Sequence, residues 1–120
     1  MDVDFPADVT ARRVATDRLD TAILESGDPD GTPVCLVHGN VSSSRFFAET
    51  MAALSDDYYV VAPDLRGYGD SETLPVDATR GCRDFSDDLA SLFDALDIDE
   101  LALVGWSIGG GVAMRFAIDA

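Results

Sequence analysis

This sequence predicts an α/β domain: a mostly parallel sheet with an antiparallel strand pair at its N-terminus and helices on both faces. Three observations predict it. The short continuous apolar runs VCLV (34–37), YYVVA (58–62) and LALV (101–104) have the length and composition of strands buried on both faces. Segments whose apolar residues recur at helical spacing separate these runs. Strand and helix therefore alternate along the chain, the pattern of a parallel sheet with right-handed crossovers.

The elements follow in order. Residues 9–26 alternate well enough for two antiparallel strands, 9–16 and 18–26, joined near Asp17 and Arg18. GDPDGTP is a turn cluster, and VCLV behind it runs into His38-Gly39-Asn40. SSSRFFAETMAAL offers serine caps and then Phe46, Phe47, Thr50, Met51 and Leu54 at the spacing of one helix face. YYVVA leads into PDLRGYGDSETLPVD, a loop rich in Gly, Pro and Asp. Over residues 84–96, Phe85, Leu89, Leu92, Phe93 and Leu96 share one helix face, with Asp87, Asp88 and Asp94 on the other. LALV is the third buried strand, and SIGGGVAMRFAIDA begins a last helix, inside which the sequence stops without a capping glycine.

Composition bounds what such a domain does. A chain of 120 residues suits one small domain, residues 1–120, and Leu, Ile, Val and Phe supply 32 of them, enough for a packed core. The 23 acidic residues face only 8 basic ones, all arginine, for a net charge of −15. Such a surface repels nucleic acid and anionic membranes, so neither is an expected partner. The opening MDVDFPAD is acidic where a signal peptide is basic and then apolar, and no run reaches membrane-span length. A soluble, cytoplasmic protein is expected. The lack of lysine and excess of aspartate resemble the proteins of halophilic archaea, in which concentrated salt screens the self-repulsion. Cys35 lies in an apolar run and reads as core, and Cys82 lies in the polar TRGCRD. With one histidine and no CxxC, no metal site and no cofactor is expected.

The chemistry centres on Gly105-Trp106-Ser107-Ile108-Gly109. The pattern G-x-S-x-G describes a sharp strand-to-helix turn with the serine at its apex, and LALV before it and a helix after it supply the required context. Glycine on either side lets strand and helix approach. The hydroxyl then stands at the carboxyl end of the sheet, where open α/β folds bind ligands and where a helix N-terminus offers free N–H groups. The plain alternative is a glycine-rich turn whose serine caps the helix. A P-loop needs a lysine, and a dinucleotide fingerprint needs glycine where Ser107 stands.

VHGN after the third strand, PDLRGYGDS after the fourth and GWSIGG after the fifth together resemble the N-terminal half of the α/β-hydrolase superfamily. The resemblance covers essentially the whole chain. It implies Ser107 as nucleophile, with the backbone N–H groups of Asn40 and Ile108 forming the oxyanion hole. It implies that His38 and Gly39 organise the oxyanion loop, and that Gly105 and Gly109 shape the elbow. The sole histidine is thus not the catalytic base. Trp106 either lines the substrate pocket or packs on the sheet, while Asp64, Arg66, Asp70 and Ser71 fix the loop around them. Haloalkane dehalogenases and epoxide hydrolases, which HGN and GYGDS resemble, carry aspartate at the elbow apex. Serine favours acyl chemistry on esters, thioesters or amides, and leaves open perhydrolysis, carbon–carbon bond hydrolysis and acyl transfer.

The same resemblance implies a truncated α/β-hydrolase fold. In the family the acid and the catalytic histidine follow the nucleophile, and only Asp119 lies beyond Ser107 here, within the elbow helix. Negligible esterase turnover is expected of these 120 residues alone. LALV would be an open apolar edge, and stability would be marginal. Two function classes result: a serine hydrolase acting on a small-molecule acyl substrate, represented by its N-terminal half, or a non-catalytic or split module that awaits a complementary C-terminal segment.

Overall fold

The computed structural model describes residues 5–120. Five strands form one sheet: β1 (Val9–Ala15), β2 (Asp20–Ser26), β3 (Thr32–Val37), β4 (Tyr58–Pro63) and β5 (Ala102–Gly105). The helices are α1 (Ala48–Leu54), α2 (Arg83–Ala95) and α3 (Ile108–Asp119), with 3-10 turns at Ser44–Phe47 and Ala78–Arg80. The strand order is β1-β2-β4-β3-β5. β1 and β2 pair antiparallel, as the alternating opening predicts, and β3 runs parallel to both β4 and β5. The expected mixed sheet with helices is therefore the observed one. The acidic stretch Met1–Asp4 lies outside the described residues.

Alternation along the strands explains why the central runs are continuously apolar. Leu36, Val60 and Ala62 join the core beneath α1 with Phe47 and Met51. Their sequence neighbours Cys35 and Val37 join the core beneath α2 and α3, and Val61 a third cluster with Leu92. Successive side chains point to opposite faces, so a strand covered on both sides needs apolar residues at every position. Burial pushes the Cys35 thiol far above its usual range, in keeping with a core residue.

Three details differ from the periodicity. First, the turn between β1 and β2 takes residues 16–19, because the Thr16 N–H and Oγ1 both donate to the Leu19 carbonyl and Thr16 Oγ1 accepts from the Arg18 N–H. Second, the helix after β3 begins as a 3-10 turn in which Ser43 accepts from the Arg45 N–H. Its three-residue period shifts the phase. Phe47, Ala48 and Met51 are buried, whereas Phe46 and Thr50 face solvent. Third, Asp88 does not share the solvent face of α2 with Asp94. It is buried, accepting from both arginines that reach it: Arg18 Nε at 2.7 Å, and Arg66 Nε and Nη2 at 2.9 and 2.8 Å. Arg66 thus ties its loop to α2 and not only to itself.

β5 departs from a strand buried on both sides. Among the described residues it pairs with β3 alone, and Val104 is 49% exposed. Also among the described residues, no helix is long and apolar enough to cross a membrane.

Candidate active site

The register of β3 and β5 builds the site. Val37 lies opposite Gly105, and the Trp106 N–H donates to the Val37 carbonyl at 3.1 Å. His38-Gly39-Asn40 and Trp106-Ser107-Ile108 therefore leave the sheet side by side at its carboxyl end. The chain passes from β3 to β4 on one side and later to β5 on the other, so strand order reverses here, at the place where open α/β sheets bind ligands.

Ser107 stands at the apex with φ 58° and ψ −121°, a backbone region that L-residues rarely occupy. What holds it there is the close approach of strand and helix. A Cβ on Gly105 would overlap the Gly109 carbonyl, and one on Gly109 would overlap the carbonyls of Val37 and His38. No larger residue fits at either position without moving α3 off the sheet. The Gly109 and Gly110 N–H groups bond the Trp106 and Ser107 carbonyls at 2.9 Å. Ile108 begins the helix, where an N–H has no acceptor inside its own helix. Ser107 itself is exposed.

The opposing loop is held by a different set of bonds. His38 is fully buried. Its Nε2 accepts from the Leu65 N–H at 3.0 Å, so Nδ1 carries the proton and donates to the Gly39 carbonyl at 2.8 Å. Both ring nitrogens are engaged with backbone. Gly39 lies against the elbow: a Cβ there would touch the Trp106 indole and come within 3.2 Å of the Ser107 Cβ. Asn40 is anchored through its side chain, whose Oδ1 accepts from the Tyr68 hydroxyl at 2.6 Å, while the Tyr68 ring packs 5.0 Å from that of His38. That bond ties the loop after β3 to the loop after β4.

Asp64, the residue after β4, braces the loops beside the elbow. Buried, it accepts from the Ser44 N–H at 2.8 Å through Oδ1 and from the Asp70 N–H at 2.9 Å through Oδ2. Ser71 donates to the Asp64 carbonyl at 2.6 Å, and the Asp70 carboxylate pairs with Arg45 at 2.8 Å. Trp106 is half-exposed and stacks on Phe46. Asp119 lies at the far end of α3, paired with Arg115 at 2.7 Å, so it does not reach the elbow. A cleft of about 1000 Å³ at the opposite end of the sheet, lined by Thr32, Pro33, Ala102 and Phe116, takes no part in this arrangement. Among the described residues, no three His, Cys, Asp or Glu side chains cluster as a metal site would require.

The structure thus brings His38, Gly39, Asn40, Gly105, Trp106, Ser107, Ile108 and Gly109 to one end of β3 and β5. Tyr68 and Phe46 belong to the same assembly and were not legible as such. Their links, Tyr68 to Asn40 and Phe46 to Trp106, span 28 and 60 positions of chain.

An open α/β sheet with a strained strand–turn–helix elbow at its switch point defines a class of fold in which a side chain is presented at the mouth of a crevice. The chain belongs to the α/β-hydrolase fold family, which matches residues 32–120. It is 30% identical over 116 residues to a magnesium-chelatase 30 kDa subunit of Rhodobacter capsulatus, covering 97% of this chain and 40% of that protein. It is 29% identical over 116 residues to a carboxylesterase of Bacillus subtilis, covering 97% and 39%. Among solved structures, an epoxide hydrolase from Vigna radiata superposes with a TM-score of 0.84 at 28% identity, covering 92% of this chain and 36% of that one. The chain thus spans about two fifths of the length of these two curated relatives. Several of the similar proteins are named as hydrolases, and the names differ in chemistry.

Proposed function

We propose that the protein is a serine hydrolase acting on a carboxylic ester or related acyl substrate. The observation that carries this reading is the backbone of Ser107, held at φ 58° by the approach of Gly105 to Gly109, with the residue exposed at the carboxyl end of the sheet. The serine Oγ attacks the substrate carbonyl carbon and gives its proton to a base. The carbonyl oxygen takes the negative charge and meets the N–H groups of Asn40 and Ile108, donors that need no reorganisation as the charge develops. Collapse, with the base returning its proton to the leaving oxygen, expels the alcohol and leaves an acyl-enzyme; water, giving a proton to the same base, then attacks the ester carbon, and the acid departs as Oγ recovers its proton.

His38 does not serve as that base, because its ring is buried and bonded at both nitrogens. In this reading the base and its acidic partner come from chain outside these 120 residues, which fits the two-fifths span, and the 120 residues alone hydrolyse esters negligibly. Serine at the apex, where epoxide hydrolases carry aspartate, favours the chemistry of the carboxylesterase relative over that of the epoxide hydrolase. The reading extends to the cytoplasm of a salt-loving cell, supported by a net charge of −15 without a single lysine.

A fluorophosphonate probe tests the nucleophile. The full-length protein that contains this chain should be labelled, and its Ser107→Ala variant should not. An unlabelled wild type removes the assignment.

A further inference from the structure

Phe46 and Trp106 stack beside the elbow with ring centroids 5.0 Å apart and planes 6° from parallel. Yet Phe46 is 59% exposed and Trp106 50%. Single exposed apolar residues are ordinary on a protein surface. This pair is different because it is locked. Phe47 packs edge-on against Phe46 at 5.2 Å and is itself buried, so the 3-10 turn supplies its core contact through Phe47 and holds Phe46 out. On the other side, the indole lies so close to Gly39 that a Cβ there would overlap it. Across the crevice loop, Val41 follows Asn40 with φ 53° and is 91% exposed. A β-branched residue is strained in that region, and so exposed a side chain recovers nothing from burial.

We infer that the Phe46–Trp106 stack, with Val41 on the adjoining loop, is the subsite for an apolar aromatic group of the substrate. The inference rests on the reading of Ser107 as the nucleophile. Geometry identifies the occupant: Gly39 lies against both the indole and the Ser107 Cβ, so a group attached to a carbonyl at Ser107 meets the rings within a few bonds. Chemistry narrows it further. Flat ring faces and edges favour aromatic partners, and the strongly negative field of the chain disfavours anionic ones. Either the acyl or the alcohol portion of an ester supplies such a group, and the substrates separate the two.

The test uses the full-length protein and its Phe46→Ala and Phe46→Leu variants. In the acyl arm, kcat/KM is measured for p-nitrophenyl benzoate against p-nitrophenyl acetate; in the alcohol arm, for benzyl acetate against methyl acetate. Phe46→Ala should lower the aromatic-to-small ratio about tenfold in one arm, and Phe46→Leu should restore part of it. Binding of phenyl acetate by calorimetry, compared between Ser107→Ala and Ser107→Ala with Phe46→Ala, reads the subsite without any chemistry at the serine. The double variant should bind about tenfold more weakly. Unchanged ratios in both arms, or equal binding in the two backgrounds, overturn the subsite even where Ser107 is labelled. So does a fall in thermal midpoint with selectivity intact, since that outcome means that other parts of the protein cover the rings. Absence of fluorophosphonate labelling, with the binding difference present, removes the nucleophile and leaves the subsite standing.

Discussion

On one flank of the sheet, β2 is paired on both sides, by β1 and β4, and α2 is clamped to the neighbouring loops by buried charge; on the other, β5 has β3 on one side only and α3 turns Met114 and Ile118 to solvent. The difference shows how a chain so poor in cations places them. Arg18, Arg66 and Arg80, three of its eight, converge on Asp84, Asp87 and Asp88 of α2. Asp84 also accepts from the Asp77 N–H at 2.7 Å, and that bond, followed by the nearby arginines, holds its carboxyl below the usual range. The flank of α3 has Arg115 with Asp119, an exposed pair one turn apart, of the kind that contributes little. Charge thus secures the side of the sheet that carries the loop around Tyr68, while the elbow rests on backbone contact between glycines.

Removing Asp88 should break this contrast most severely. Asp88→Ala leaves Arg66 nearly buried with no carboxylate, and breaking such a pair costs about 3–5 kcal/mol. Urea denaturation checks it, and a loss under about 1 kcal/mol would mean that the clamp does not hold the flank. Salt should sharpen the contrast from the other direction. The buried pairs are screened little, whereas the exposed acidic groups are screened strongly, so molar KCl should raise the thermal midpoint by several degrees over dilute buffer. Equal midpoints would count against the halophilic reading.

The smallest effect is expected at Tyr59, on the inner side of the paired flank. Burial, and then its bond to Glu25 at 2.7 Å, push its phenol up to about 12 from 10.0. Between those values the folded state holds a proton that the unfolded state has lost, so the stability from this group is complete below pH 10 and declines as pH rises toward 12. Tyr59→Phe should cost about 1 kcal/mol at neutral pH and remove that alkaline slope. Ultraviolet titration of the phenols checks the assignment, and ionisation of Tyr59 together with an exposed tyrosine would refute it.

The central strands were legible because burial on both faces writes an unbroken apolar run into the sequence, as in VCLV and YYVVA. The elbow was legible for a local reason as well, since the residues its steric demands fall on lie within five consecutive positions, although Gly109 answers to the Val37 and His38 carbonyls far away in the chain. Asp88 was not: helical periodicity assigns a carboxylate to the wet face, and its arginine partners lie 22 and 70 positions away. Phe46 was misplaced because one 3-10 turn changes the phase of everything counted from it. The Tyr68–Asn40 bond has no sequence signal at all, as it forms only once β3 and β4 lie side by side.

The positive φ of Ser107 matters to anyone who redesigns this fold. An algorithm that optimises thermal stability would find glycine the more comfortable residue at that apex and would choose it. The improved protein would keep its sheet and its clamp and lose the hydroxyl. On the proposed reading of Ser107 as the nucleophile, robustness and chemical competence are opposed at one backbone position.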